Sequence, residues 1–171
     1  MKYCNLNISL SEGEREEYNQ KITSLIYHSS KSLQPEEVYN RFTGKGNLHH
    51  LERGDFNNYF EFAEAKRTIE QGQFFTPHAL CEAIINTLKP ETEFKIADLT
   101  CGKGNFLNFL PNEENIYGNE LDYDAFSVCK YLYPAALITN LDFIYYFTEE
   151  RFDIVLGNPP FNFSTAIGVS Q

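Results

Sequence analysis

The sequence predicts an α/β fold, about four parallel strands in one sheet, preceded by an N-terminal helical region. Three observations predict it. Before about residue 92, apolar residues recur at helical spacing. From Glu93 onward, short apolar runs alternate with helical segments. Each of the four runs is followed by a polar residue, Asp98, Glu120, Asp142 or Asn158. Strands alternating with helices at this length build a parallel sheet with crossover helices. The 171 residues suffice for one domain with a core. Three regions are expected: 1–50 helical, 51–92 with further helices, and 93–171 holding the strands.

The first helix starts at Ser11, which with Glu14 spells a capping box, and Tyr18, Ile22, Leu25 and Ile26 follow on one face. A second, short helix begins at Pro35, with Glu36 and Glu37 in its first turn. "RFTGKGNLHH" reads as a loop without phosphate-loop spacing. A third helix is expected from about Asp55, its stripe of Phe56, Tyr59, Phe60 and Ala63 packing on the core. Thr76 is expected to cap a fourth helix with Pro77 in its first position, running through Ala79, Leu80, Ile84, Ile85 and Leu88.

"FKIADL" is the first strand, "TCGKG" a turn and "NFLNFL" a helix stopped by Pro111. "IYGNE" is the second strand, and "DYDAFSVCKYLY" a helix with Phe126, Cys129 and Leu132 on one side. "ALITN" and "FDIVLG" are the third and fourth strands.

Composition excludes several classes. The chain is 42% hydrophobic and 15% aromatic, which is globular rather than disordered. No apolar run is long enough to cross a bilayer, and no signal peptide is evident, so a cytoplasmic location is expected. Cys4, Cys81, Cys101 and Cys129 form no CxxC pair, which suits neither zinc nor a disulfide framework, and they read as small buried thiols; no metal site is expected. Net charge is −10, against a chain that grips nucleic acid mainly through phosphates.

In an open parallel sheet ligands bind beyond the carboxyl ends of the strands, where the four polar residues fall. In "DLTCGKGNF", Gly102 and Gly104 let the backbone approach a ligand, and a following helix N-terminus would present N–H groups. Glu120 lies 22 residues past Asp98, placed to accept from ribose hydroxyls. The pair favours a nucleoside ligand, and the absent G-x-G-x-x-G spacing lowers a dinucleotide. In "NPPF", Pro159 and Pro160 fix the backbone and remove N–H donors. Asn158 adds an acceptor and Phe161 a ring, a set that suits a planar group bearing an NH2. A plain proline-rich strand exit with a buried Phe is the alternative.

Together these motifs resemble the gamma-type N6-adenine-specific DNA methyltransferases, most of all the methylation subunit of type I restriction-modification systems, over roughly residues 50–163. "GQFFTP" resembles motif X, "DLTCGKGNF" motif I, "GNELD" motif II, "NLDF" motif III and "NPPF" motif IV, in the order of the gamma arrangement. The resemblance implies a Rossmann-like sheet that binds S-adenosylmethionine. Phe75 and Thr76 would lie beside its methionine end. Asp98, Gly102 and Gly104 would shape its pocket, and Glu120 would hold the ribose. Asp142 would bind the adenine amino group, with Phe143 packed on that ring.

Asn158 and the Pro159 carbonyl would accept from the N6 amino group of a target adenine flipped out of the duplex, and Phe161 would stack on it. Two acceptors favour a pyramidal, nucleophilic nitrogen that attacks the methyl in line, without a covalent intermediate. Pro160 stands where a cytosine-C5 enzyme would need its cysteine, which removes that class. The chain departs from the motif at Leu99 and Lys103. Beside a cationic sulfonium ligand, Lys103 is slightly unfavourable unless its side chain points to solvent.

The resemblance also implies DNA as partner in the complete enzyme, bound weakly by this acidic portion, and restriction or specificity subunits. Further strands would normally follow "NPPF", so a truncated or split enzyme is expected, with the fourth strand an exposed edge that self-associates or meets a completing chain. The alternatives are an inactive cofactor-binding remnant or split subunit, and a protein-glutamine N5-methyltransferase, which the "QFFTP" block disfavours.

Overall fold

In the computed structural model, residues 1–29 and 32–160 are described. They form two compact units: Met1–Gly44 with Phe75–Asn158, and Lys45–Phe74 with Pro159 and Pro160.

The first unit holds the sheet. Strands β1 (Ile96–Asp98), β2 (Ile116–Asn119), β3 (Leu137–Thr139) and β4 (Ile154–Leu156) are all parallel, in the order β3-β2-β1-β4. Asp98 pairs with Gly118 on one side and Leu156 on the other. Central β1 is buried throughout, as a strand covered on both faces must be. Among the described residues β4 is an edge, with Val155 61% exposed. The chain steps outward from β1 to β2 and β3 and then returns to the far side of β1. The order therefore reverses between β1 and β4, the crevice where open α/β sheets bind ligands.

Four helices cover this sheet unit: α1 (Glu12–Tyr27), α2 (Pro35–Arg41), α4 (His78–Leu88) and α5 (Tyr123–Leu132); α3 (Tyr59–Glu70) lies in the second unit. The Ser11–Glu14 capping box forms in both directions, and Pro35 opens α2. Ile22 is buried, with Tyr18, Leu25 and Ile26 packed around it. On α5, Ala125, Val128, Cys129 and Leu132 are fully buried and face α1, α2 and β3. Residues 1–44 thus share one core with the sheet.

The first residues are fastened to this core from far along the chain. Asn108 Oδ1 accepts from the Lys2 and Tyr3 amides, Asn108 Nδ2 donates to the Tyr3 carbonyl, and Tyr3 Oη donates to the Leu132 carbonyl at 2.6 Å.

Several local expectations are corrected. The segment after the glycine turn is only a 3-10 turn, Leu107–Phe109, because Asn108 turns inward to hold Tyr3. Helix α4 starts at His78, with Pro77 rather than Thr76 at the cap. The Pro77 carbonyl accepts the Leu80 and Cys81 amides, and Thr76 is drawn inward, 8% exposed. Cys4 is exposed, whereas Cys81, Cys101 and Cys129 are buried as expected.

In the second unit, α3 begins at Tyr59 because Asn58 Oδ1 accepts the Glu61 amide. Tyr59 and Phe60, in its first turn, are 70% and 77% exposed, so the expected stripe does not pack. Phe62 takes its place, meeting the Phe56 and His49 rings edge-on. Buried Glu70 accepts from the Asn47 amide, and Gln73 Oε1 from the Lys45 amide.

Candidate functional site

The glycine turn leaves β1 at Asp98. Asp98 is 2% exposed, and its Oδ1 accepts the Thr100 amide at 3.2 Å. Burial raises its carboxyl from 3.8 to about 7; the Thr100 bond opposes this and the Glu120 charge adds to it. The turn then enters two left-handed conformations, Gly102 at φ +56 and Gly104 at φ +88. A Cβ on Gly102 would sit 2.7 Å from the Phe75 ring. One on Gly104 would press on Tyr133 Cε2 and stand 3.1 Å from Cys129 Sγ. Both positions therefore need glycine for conformation and for space.

Glu120 follows β2 and bonds directly to this turn. Its Oε2 accepts the Gly102 amide at 2.8 Å and its Oε1 the Asp122 amide at 2.9 Å. Burial raises its pKa against these backbone bonds. A carboxylate has about four acceptor positions, so each oxygen keeps a lone pair for a ligand hydroxyl.

Asn119, absent from the sequence-based site, joins three strand ends. Its Nδ2 donates to the Leu99 and Leu141 carbonyls, and its Oδ1 accepts from the Leu141 amide and the Thr139 hydroxyl. It is 1% exposed, and its signal was a polar residue at an inward strand position beside Glu120 in "GNELD". By holding Leu141 it fixes the segment that carries Asp142. Asp142 Oδ1 accepts the Ile144 amide and starts the 3-10 turn Phe143–Tyr145, in which Phe143 is 55% exposed.

The segment at Phe75 and Thr76 meets the same turn. Phe75 lies against Gly102, and Asn105 Nδ2 donates to the Thr76 carbonyl at 2.7 Å. Asn105 Oδ1 is buried and meets no donor among the described residues. Asn105 was also missed; it follows the second glycine, where a side chain can reach back across the turn.

Across the sheet crevice, Gly157 follows β4, and a Cβ there would lie 3.1 Å from both Asp98 Oδ1 and Thr100 Oγ1. That proximity accounts for the glycine ahead of Asn158. Asn158 ends the first unit, Pro159 and Pro160 group with the second, and Phe161 lies outside the described residues. In the second unit, Pro160 lies 3.2 Å from where a Gly72 Cβ would be.

Lys103 does not point to solvent: it is 9% exposed, and its Nζ donates to the Tyr39 and Phe42 carbonyls at 2.6 and 2.8 Å. Burial lowers its pKa from 10.5 to about 7.

The structure thus brings Phe75, Thr76, Asp98, Gly102, Gly104 and Glu120 around one turn, with Asp142 and Phe143 on the loop after β3. Neither of two cavities in this unit is lined by these residues. One of about 380 Å³ is bounded by Ile85, Lys89 and Phe109, the other of about 500 Å³ by Tyr27, Phe126 and Tyr131. Among the described residues no cluster of His, Cys, Asp and Glu could hold a metal ion, and no helix is long and apolar enough to cross a membrane.

The profile of the N-6 DNA Methylase family matches residues 54–167. The Type II methyltransferase M.CvrRI of Paramecium bursaria Chlorella virus XZ-6E is 28% identical over 99 residues, 56% of this chain and 26% of that protein. The chain therefore spans about a quarter of that relative's length. A solved structure described as a class I S-adenosylmethionine-dependent methyltransferase, from Listeria monocytogenes, shares the fold at a TM-score of 0.50 and 14% identity, over 91% of this chain and 53% of that one. A structure described as a type I restriction enzyme modification subunit, from Vibrio vulnificus YJ016, aligns over 60% of this chain and 27% of that one, at 20% identity and a TM-score of 0.43.

Proposed function

The chain belongs to the N-6 DNA methylase family, and from that membership we propose that it supplies the cofactor-binding part of an S-adenosylmethionine-dependent DNA methyltransferase acting on adenine N6 in a restriction-modification system. The observation that carries this reading is the bond from the Gly102 amide to Glu120 Oε2 at 2.8 Å. It joins the glycine turn after β1 to the acid after β2, the pair that a nucleoside ligand needs.

The residues fit the cofactor. Glu120 keeps lone pairs for ribose hydroxyls. The buried, unpaired Asn105 Oδ1 is an acceptor for a donor-rich ligand such as an amino-acid ammonium group. Phe75 and Thr76 would flank the methionine end, Asp98 with Gly102 and Gly104 would shape the pocket, and Asp142 with Phe143 would hold the adenine. When bound, S-adenosylmethionine supplies an electrophilic methyl group on sulfur.

The Asn158 side-chain oxygen and the Pro159 carbonyl would accept the two N–H bonds of the target adenine amino group. That draws its lone pair out of the ring and makes the nitrogen nucleophilic. Pro160 would keep the turn rigid, and Phe161 would stack on the flipped base. With a net charge of −10, the phosphate grip on DNA would come from another part of the enzyme or from a specificity subunit.

A second reading is a cofactor-binding subunit completed by another chain or a second copy. The observation favouring it is the edge strand β4 with Val155 exposed, near in sequence to the exposed Phe143, Ile144, Tyr145 and Phe147.

Titration calorimetry with S-adenosylmethionine and with its demethylated product, S-adenosylhomocysteine, tests the cofactor assignment. Binding is expected, and Glu120→Gln should weaken it by about tenfold or more through loss of a charge-assisted acceptor. Absence of binding, or a Glu120→Gln variant that binds as the parent does, would overturn it.

A further inference from the structure

The two glycines of the cofactor turn leave its backbone free to adopt many conformations, yet a binding turn must hold one. The residue between them decides which. Lys103 sends its side chain inward, past the Phe75 ring at 5.7 Å and the Tyr39 ring at 5.0 Å. Its amine ends on the Tyr39 and Phe42 carbonyls, at the C-terminal end of α2, where helix carbonyls lack partners within the helix.

We propose that Lys103 is a positioning residue of the cofactor turn: by donating to the Tyr39 and Phe42 carbonyls it locks the turn between Gly102 and Gly104 onto α2, so that the N-terminal helices set the geometry of the cofactor site. This rests on the cofactor assignment made above. A surface lysine would leave the turn to its glycines. A buried one, reaching elements more than sixty residues earlier in the chain, joins the turn to a second layer of structure.

The chemistry of the amine makes the lock sensitive to protonation. A neutral amine has two N–H bonds, which match the two carbonyls. Protonation adds a third N–H and a charge in a buried site, which favours withdrawal of the head toward water and loosening of the turn. The other titratable groups around the turn are Tyr39 on α2, His78 on α4 against the Tyr39 ring, Tyr133 after α5 and Cys129 on α5 against Gly104, Cys101 within the turn, and Asp98 and Glu120 at the strand ends. Burial raises Asp98 to about 7 as well, so a variant must separate the lysine from the other groups.

The test uses the full chain with Lys103→Met, which keeps the stem and removes the donors, and Lys103→Gln, whose amide restores two N–H bonds. Without ligand, amide hydrogen exchange at Cys101–Asn105 is expected to rise about tenfold in Lys103→Met, with β1 and β2 amides unchanged, and to recover partly in Lys103→Gln. Equal exchange in this turn in parent and Lys103→Met overturns the proposal, as does equal loosening throughout the sheet. Calorimetry with S-adenosylhomocysteine at about pH 6 and about pH 8 should show the parent binding more weakly at the lower pH. Lys103→Met should lose that part of the pH dependence, leaving what the other titratable groups contribute; an unchanged pH dependence counts against the lock. If the parent binds no cofactor, the functional reading fails while the exchange measurement still decides whether Lys103 holds the turn.

Discussion

Replacing Gly104 by alanine puts a methyl group where the structure has no room. Gly104 sits at φ +88, a conformation that costs an L-residue about 1 kcal/mol. The new Cβ would lie 3.0 Å from Tyr133 Cδ2, closer still to Cε2, and 3.1 Å from Cys129 Sγ. Tyr133 is 1% exposed and Cys129 fully buried, so neither can swing away. Overpacking a rigid core by one methyl costs about 1–3 kcal/mol. Together the two effects predict a loss of about 3 kcal/mol. With a urea dependence of about 2 kcal/mol per molar, the midpoint should fall by about 1.5 M. Gly102→Ala should lose less, because the obstacle there is the half-buried ring of Phe75, which can shift. Urea titrations followed by circular dichroism measure both. A Gly104→Ala midpoint equal to that of the parent, or a larger loss in Gly102→Ala, would refute this account of the turn.

The buried Asp98 and Lys103 should shape stability with opposite slopes. Asp98, raised from 3.8 to about 7, stays protonated in the fold while the unfolded chain ionises, so stability falls as pH rises from about 4 to about 7. Lys103, lowered from 10.5 to about 7, loses its proton first in the fold, so stability rises from about pH 7 to about pH 10. The shifts correspond to at most about 4 kcal/mol for Asp98 and about 5 kcal/mol for Lys103. Urea midpoints across this range should show the acid-side slope flattened in Asp98→Asn and the alkaline-side slope flattened in Lys103→Met; a slope that survives its own variant contradicts the assignment. Asn119→Leu removes four hydrogen bonds from a buried junction and should cost about 3 kcal/mol, read from the same titrations. A loss below about 1 kcal/mol would show that the strand ends hold one another without it.

What was legible in the sequence was what short stretches dictate by themselves. The Ser11–Glu14 box, the Pro35 start and the four strands each depend on a few neighbouring residues, and each formed. The misreadings arose where a distant partner decided the outcome. Asn108 looked like part of a helix, but its side chain was claimed by Tyr3, 105 residues away in the chain. Lys103 could be read only as a departure from the motif, because nothing near it in sequence announces the carbonyls of Tyr39 and Phe42. On α3 the Asn58 cap set the start at Tyr59, and the stripe expected to pack left Tyr59 and Phe60 exposed. Among the site residues, glycines and acids at strand ends were visible because their chemistry is unusual there. Asn119 and Asn105 were not, since a neutral amide gives no such signal until its partners are known.

The fastening of Tyr3 by Asn108 and Leu132 has a consequence for synthesis on the ribosome. Helices α1 and α2 emerge before α5, but the surface they cover includes α5, which ends at Leu132. At about 5–20 residues per second, the leading helices wait on the order of ten seconds before that surface exists. During that interval Ile22, Val38 and Phe42, all buried in the finished fold, face water or a chaperone. Messages cut short before the codon for Leu132 should therefore yield sticky, protease-sensitive chains rather than a folded helical piece, which makes the fastening of Tyr3 a late step of folding although Tyr3 is made well before its partners.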